Sequence, residues 1–131
     1  MALTIADLCI LGAVAAYLLP ITIVKYSSLK AFDNARPRDP AFFADPFRSR
    51  GLGAHLNGQE GFAFFAAAVI LAQLRGAAQP RVDELAVAYV VLRLVFVAAY
   101  LADKPKLRSP AWALGFAVNV ALLLSPLWAR G

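Results

Sequence analysis

The fold is decided by Leu85-Ala86-Val87-Ala88-Tyr89-Val90-Val91-Leu92-Arg93-Leu94-Val95-Phe96-Val97-Ala98-Ala99-Tyr100-Leu101, a run in which Arg93 is the sole charge. A transmembrane helix needs about 17 to 25 mainly apolar residues. Similar runs occupy residues 3–24, 53–74 and 111–128, and the quoted one extends to 83–101. Polar segments 25–52 and 102–110 lie between them, and residues 1–131 read as a single domain.

Composition agrees. The chain is 61% apolar and 16% charged, whereas soluble domains are about 45–50% apolar and about 25% charged. An all-α membrane protein with a four-transmembrane-helix bundle is expected. A soluble globule, a disordered chain and a nucleic-acid partner are disfavoured. The first run lacks a basic leader and exceeds the roughly 7–15 residues of a signal-peptide core, so it is expected to remain in the membrane.

The net charge of +5 reads as topology. Lys25, Lys30, Arg36, Arg38, Arg48, Arg50, Lys104, Lys106 and Arg108 lie in the two longer connections, against Arg75, Arg81 and Arg130 at the opposite ends of the runs. The positive-inside rule then places loops 25–52 and 102–110 in the cytoplasm and both termini opposite. The membrane is expected to be a bacterial inner membrane. One cysteine, Cys9, and one histidine, His55, leave no disulfide and no metal site to expect.

Ionisable groups at membrane depth are expensive and functional by default. Glu60 is seven residues in from Gly53, about 10 Å at the helical rise, and Arg93 is eight in from Leu101, about 12 Å. Both depths are counted from the same side, so the two charges can meet at one level. Gly53, Asn57, Glu60 and Phe64 follow i, i+4, i+7, i+11, one helix face; Tyr89, Arg93, Phe96 and Tyr100 repeat the pattern. Such faces suit a polar headgroup beside an apolar wall. Equally, a Glu60–Arg93 pair could simply hold a bundle together, in a non-catalytic or lipid-binding protein. A small drug/proton exporter would carry its essential Glu in the first helix, where this chain has only Asp7.

Residues Arg50-Gly51-Leu52-Gly53-Ala54-His55-Leu56-Asn57-Gly58-Gln59-Glu60 resemble the second-helix signature of the MAPEG family, membrane-associated proteins in eicosanoid and glutathione metabolism. Arg93 through Tyr100 resembles its third-helix Arg-x-x-(Tyr/His)-x-x-x-Tyr stretch, and Arg108-Ser109 and Lys30-Ala31-Phe32 also fit. The chain looks like a bacterial-type member. The resemblance implies a homotrimer of four-helix bundles that binds glutathione as co-substrate, activates its thiol and acts, as a transferase or peroxidase, on a hydrophobic small molecule or lipid. Carried over by position, it implies that Asn57, Glu60, Arg93 and Tyr100 line the glutathione pocket; Arg50, Lys25 or Lys30 would supply the charge that Gly53 lacks, with Arg50 and Lys30 as the binding residues. Arg108 would be the catalytic residue, stabilising the thiolate. The chain departs from the family pattern at Gly53 and Leu56, where basic residues are common, and at Phe96, where a hydroxyl or imidazole is usual.

Overall fold

Thr4 opens the first helix. Its hydroxyl accepts the N–H of Asp7 at 3.1 Å, and the Asp7 carboxylate accepts the N–H of Thr4 at 2.8 Å. This capping box satisfies two otherwise orphaned donors and launches α1, Ile5–Tyr26. Three more helices follow in the computed structural model, which describes residues 2–131: α2, Pro46–Leu74; α3, Gln79–Leu101; and α4, Pro105–Trp128. Among the described residues there is no strand, only an isolated bridge between Ala77 and Arg130.

Three helices begin earlier than the apolar runs suggest. α2 starts at Pro46 rather than 53, α3 at Gln79 rather than 83 and α4 at Pro105 rather than 111. Each carries a proline in its first turn (Pro46, Pro80 and Pro105), where a fixed φ suits the helix and the missing N–H would have had no partner. The two connections between α1 and α2 and between α3 and α4 therefore contract to 27–45 and 102–104. Arg108 belongs to the first turns of a helix and not to a loop.

α2 and α3 pack on each other, α1 and α4 pack on that pair from opposite flanks, and α1 and α4 do not touch. The α1–α2 seam runs over small residues, as close helix approach in membranes requires. Ala54 is fully buried. A Cβ on Gly51 would collide with Val24, and one on Gly58 would collide with the Cβ of Tyr17. At the other end, Asp83 Oδ1 accepts the Ala6 N–H and a Gln79 Nε2 hydrogen, both at 2.8 Å, tying α3 to the start of α1. Gln73 Nε2 donates to Thr4 and Asp7. Asp7 is thereby consumed in capping.

The C-terminal ends of α2 and α3 are closed by left-handed residues. Gly76, with φ of 74°, follows α2, and Ala77 N–H reaches back to the Ala72 carbonyl at 3.0 Å. Asp103, with φ of 56°, does the same after α3, with Lys104 N–H bonded to the Ala99 carbonyl at 2.8 Å. Both are Schellman-type closures. The 27–45 connection is pinned by aromatics: Phe42 and Phe43 are buried against Val24, with Arg48 over the Phe42 ring at 4.6 Å.

α1, α3 and α4 are each long and apolar enough to cross a membrane. Their outward faces expose Leu8, Leu11, Val91, Leu114 and Phe116. Water would penalise so continuous an apolar surface, and hydrocarbon does not. This is an integral membrane protein.

Candidate functional site

Three helices turn one face each to a common groove. From the loop end inward, α4 contributes Arg108, Trp112, Gly115 with Phe116, and Asn119; antiparallel to it, α3 contributes Tyr100, Phe96, Arg93 and Tyr89; α2 contributes Asn57, Glu60, Gly61 and Phe64. The steps of three and four keep each set on one side of its helix. Two cavities divide the groove. The outer one, about 250 Å³, is bounded by Asn57, Phe96, Tyr100, Arg108, Ser109 and Trp112. The inner one, about 210 Å³, reaches from Asn57, Glu60 and Arg93 down to Tyr89 and Asn119. Asn57 and Trp112 border both, so the two adjoin.

Arg93 is only 6% exposed. Its Nη2 donates to Asn57 Oδ1 at 3.1 Å, and its guanidinium lies 4.1 Å from the centroid of Phe96. The expected pairing with Glu60 does not form: Glu60 is exposed and makes no ion pair among the described residues. Glu60 and Arg93 share an axial level but not a facing side. Around the α2 axis, Asn57 rather than Glu60 meets the Arg93 fork. Glu60 remains a free carboxylate on the groove wall.

At the groove mouth the Arg108 guanidinium stands 4.6 Å from the Tyr100 ring centroid. The Tyr100 ring fills the place that a side chain at position 53 would need, since a Cβ on Gly53 would collide with its hydroxyl. Deeper, Tyr89 stacks on Phe65 with ring centroids 4.1 Å apart, and Gly61 and Gly115 leave room around it.

Not every expected residue arrives. Arg50 Nε donates to the Leu101 carbonyl at 3.2 Å, and Arg50 Nη1 stands 4.0 Å from Asp103. It clamps the end of α3 and lines neither cavity. Lys30 is exposed in the turn after α1 and lines neither. His55 Nδ1 is bonded to the Tyr17 carbonyl at 2.7 Å. Leu56 faces a separate hollow between α1 and α2, with Leu18, Lys25 and Arg38, so its departure from the family pattern leaves this groove untouched.

The MAPEG family model matches residues 5–128, nearly the whole chain. The chain belongs to the MAPEG family. No curated protein and no solved structure matches it. Four α4 residues of this MAPEG protein's groove were not expected there: Trp112, Gly115, Phe116 and Asn119. Their signal was available, because from Arg108 they continue at i+4, i+7, i+8 and i+11, one face of α4.

Proposed function

We propose that the groove binds glutathione and activates its thiol for reaction with a lipophilic electrophile or peroxide. The observation that carries this reading is the gathering of Arg93, Arg108, Ser109, Asn57 and an unpaired Glu60 along one cleft. Glutathione carries two carboxylates, an ammonium and a thiol. The two arginines and the serine suit its carboxylates and thiol, and the free Glu60 carboxylate suits its ammonium. Each cavity is smaller than the roughly 300 Å³ typical of small-molecule sites, so the peptide would occupy the outer one and reach across the shared Asn57–Trp112 border.

Arg108 acts on the thiol. With a pKa near 8.5, a free thiol is only about 3% ionised at pH 7. An adjacent guanidinium favours the anion, and the thiolate is the nucleophile. The positive end of the α4 dipole lies in the same turn and adds to the effect. Phe96 offers no hydroxyl or imidazole, so the arginine carries the activation. Trp112, 46% exposed, and Phe116, 50% exposed, form an aromatic wall by which a lipophilic partner enters from the bilayer.

The loop end would face the cytoplasm, where glutathione is supplied, and the open outer side of the groove would be covered by a neighbouring subunit in a homotrimer. Turnover of an activated aryl halide tests the assignment. Arg108→Ala should lower kcat at least tenfold with helix content unchanged, and Arg108→Lys should recover part of it. Unchanged kcat in Arg108→Ala would refute the role of Arg108.

A further inference from the structure

The arginines of the groove are held differently from those around it. Arg36, Arg48, Arg50 and Arg81 each pair with a carboxylate. Arg93 is held by an amide and a ring, those of Asn57 and Phe96. Arg108 makes no ion pair and no side-chain hydrogen bond among the described residues. Its guanidinium rests on the Tyr100 ring alone, 4.6 Å from the centroid. That ring is braced in turn. Phe96 meets it edge-on, with centroids 5.5 Å apart and planes at 78°. It packs against the cluster of Ala54, Val97 and Ala111. Its hydroxyl stands where a Cβ on Gly53 would be, so the missing side chain at 53 leaves it this place.

We infer that Tyr100 is a positioning residue: its ring holds the Arg108 guanidinium at the groove mouth with its charge uncancelled and ready to meet an anion. This role rests on the groove being a glutathione cleft, and it deepens that reading by assigning what aims the arginine. A carboxylate in place of Tyr100 would fix Arg108 as firmly, but it would offset the charge that favours a nearby thiolate. An aromatic ring attracts the cation through its quadrupole and adds no net charge. It also presents no oxygen acceptor, so the N–H donors of the planar fork stay available to a ligand. The contact belongs to the ring and not to the hydroxyl, which lies against Gly53 of α2. Phe96 fits the same scheme. It lacks the hydroxyl or imidazole of the family pattern, yet its ring carries Arg93 at 4.1 Å and backs Tyr100. Two rings one turn apart on α3 thus carry one groove arginine each.

The test uses the full chain, arginine-labelled, in detergent micelles without ligand and then with glutathione. Without ligand, the ring current of Tyr100 should move the Arg108 Hδ resonances upfield of those of the exposed Arg36, with Arg108→Lys identifying the signal. Tyr100→Phe should keep that displacement and Tyr100→Leu should abolish it. A wild-type Arg108 signal without the displacement, read in a protein that needs no change at Tyr100, would overturn the proposal. With glutathione, the ionisation of the bound thiol is followed by thiolate absorbance across pH. Its ionisation constant should stay within about twofold in Tyr100→Phe, and Tyr100→Leu should lower it about threefold or more, the scale of one cation–π contact. An unchanged constant in Tyr100→Leu, or an equal fall in Tyr100→Phe, would overturn the role of the ring. Absence of saturable glutathione binding with the ring-current pattern intact defeats the glutathione reading alone. Saturable binding with a thiolate signal that Tyr100→Leu leaves unmoved defeats the positioning role alone.

Discussion

Nη2 of Arg93 donates to Oδ1 of Asn57 across 3.1 Å, joining α3 to α2 in the middle of the groove. The guanidinium is 6% exposed, so removing its partner leaves a buried charge short of a hydrogen bond. Asn57→Leu should lower unfolding free energy by about 1–3 kcal/mol, read by denaturant titration in mixed micelles. Glu60→Gln should stay within about 0.5 kcal/mol, as expected for an exposed group. A larger loss from Glu60→Gln than from Asn57→Leu would contradict this assignment of the partner.

Gly53 and Tyr100 share one space. Any side chain at 53 must push the Tyr100 ring, whose hydroxyl stands where the Cβ would be. Gly53→Ala should therefore lower the melting temperature, and Tyr100→Leu in the same chain should recover part of the loss. A double-mutant cycle should show coupling of about 0.5–3 kcal/mol, the range for residues in contact. Additive effects would show that the ring moves freely.

Gly76 closes α2 at a φ of 74°, a left-handed conformation that costs any residue with a Cβ. No other atom would obstruct that Cβ. Gly76→Ala should thus destabilise through the backbone alone, by about 1 kcal/mol, with glutathione binding unchanged.

Asp45 caps α2 from outside the membrane. The N–H of Arg48, bonded to its carboxylate, is the first cause holding its pKa below the usual aspartate value, helped by the Arg48 charge and the Phe47 N–H. A lowered folded-state value means a contribution present above about pH 4, near the unfolded pKa, and lost as pH falls through the folded value. Asp45→Asn keeps the cap without the titration. Melting temperature measured from pH 6 down to pH 3 should fall less steeply in Asp45→Asn than in the wild type.

The sequence made the helices legible because four apolar runs leave few alternatives, and two groove faces were visible in the spacing of Asn57 with Glu60 and of Arg93 with Tyr100. Helical rise gives depth but not the angle at which two helices meet, so Glu60 was expected to take the place that Asn57 fills. The α4 face was harder to see. The boundary between the polar segment 102–110 and the apolar run 111–128 separates Arg108 from Trp112 and Asn119. Only the helix that starts at Pro105 aligns Arg108, Trp112 and Asn119. Arg50 and Lys30 were expected in the site by charge alone, and the chain uses Arg50 to fasten the end of α3.

The central claim is that the groove holds glutathione with its thiol ionised beside Arg108. Titrating the purified protein with glutathione at pH 7 while following thiolate absorbance in the ultraviolet measures binding and ionisation together. The wild type should give a saturable thiolate signal in the millimolar range or below, and Arg108→Ala should bind glutathione without that signal. Absence of saturable binding at millimolar glutathione, or a thiolate signal undiminished in Arg108→Ala, would contradict the claim.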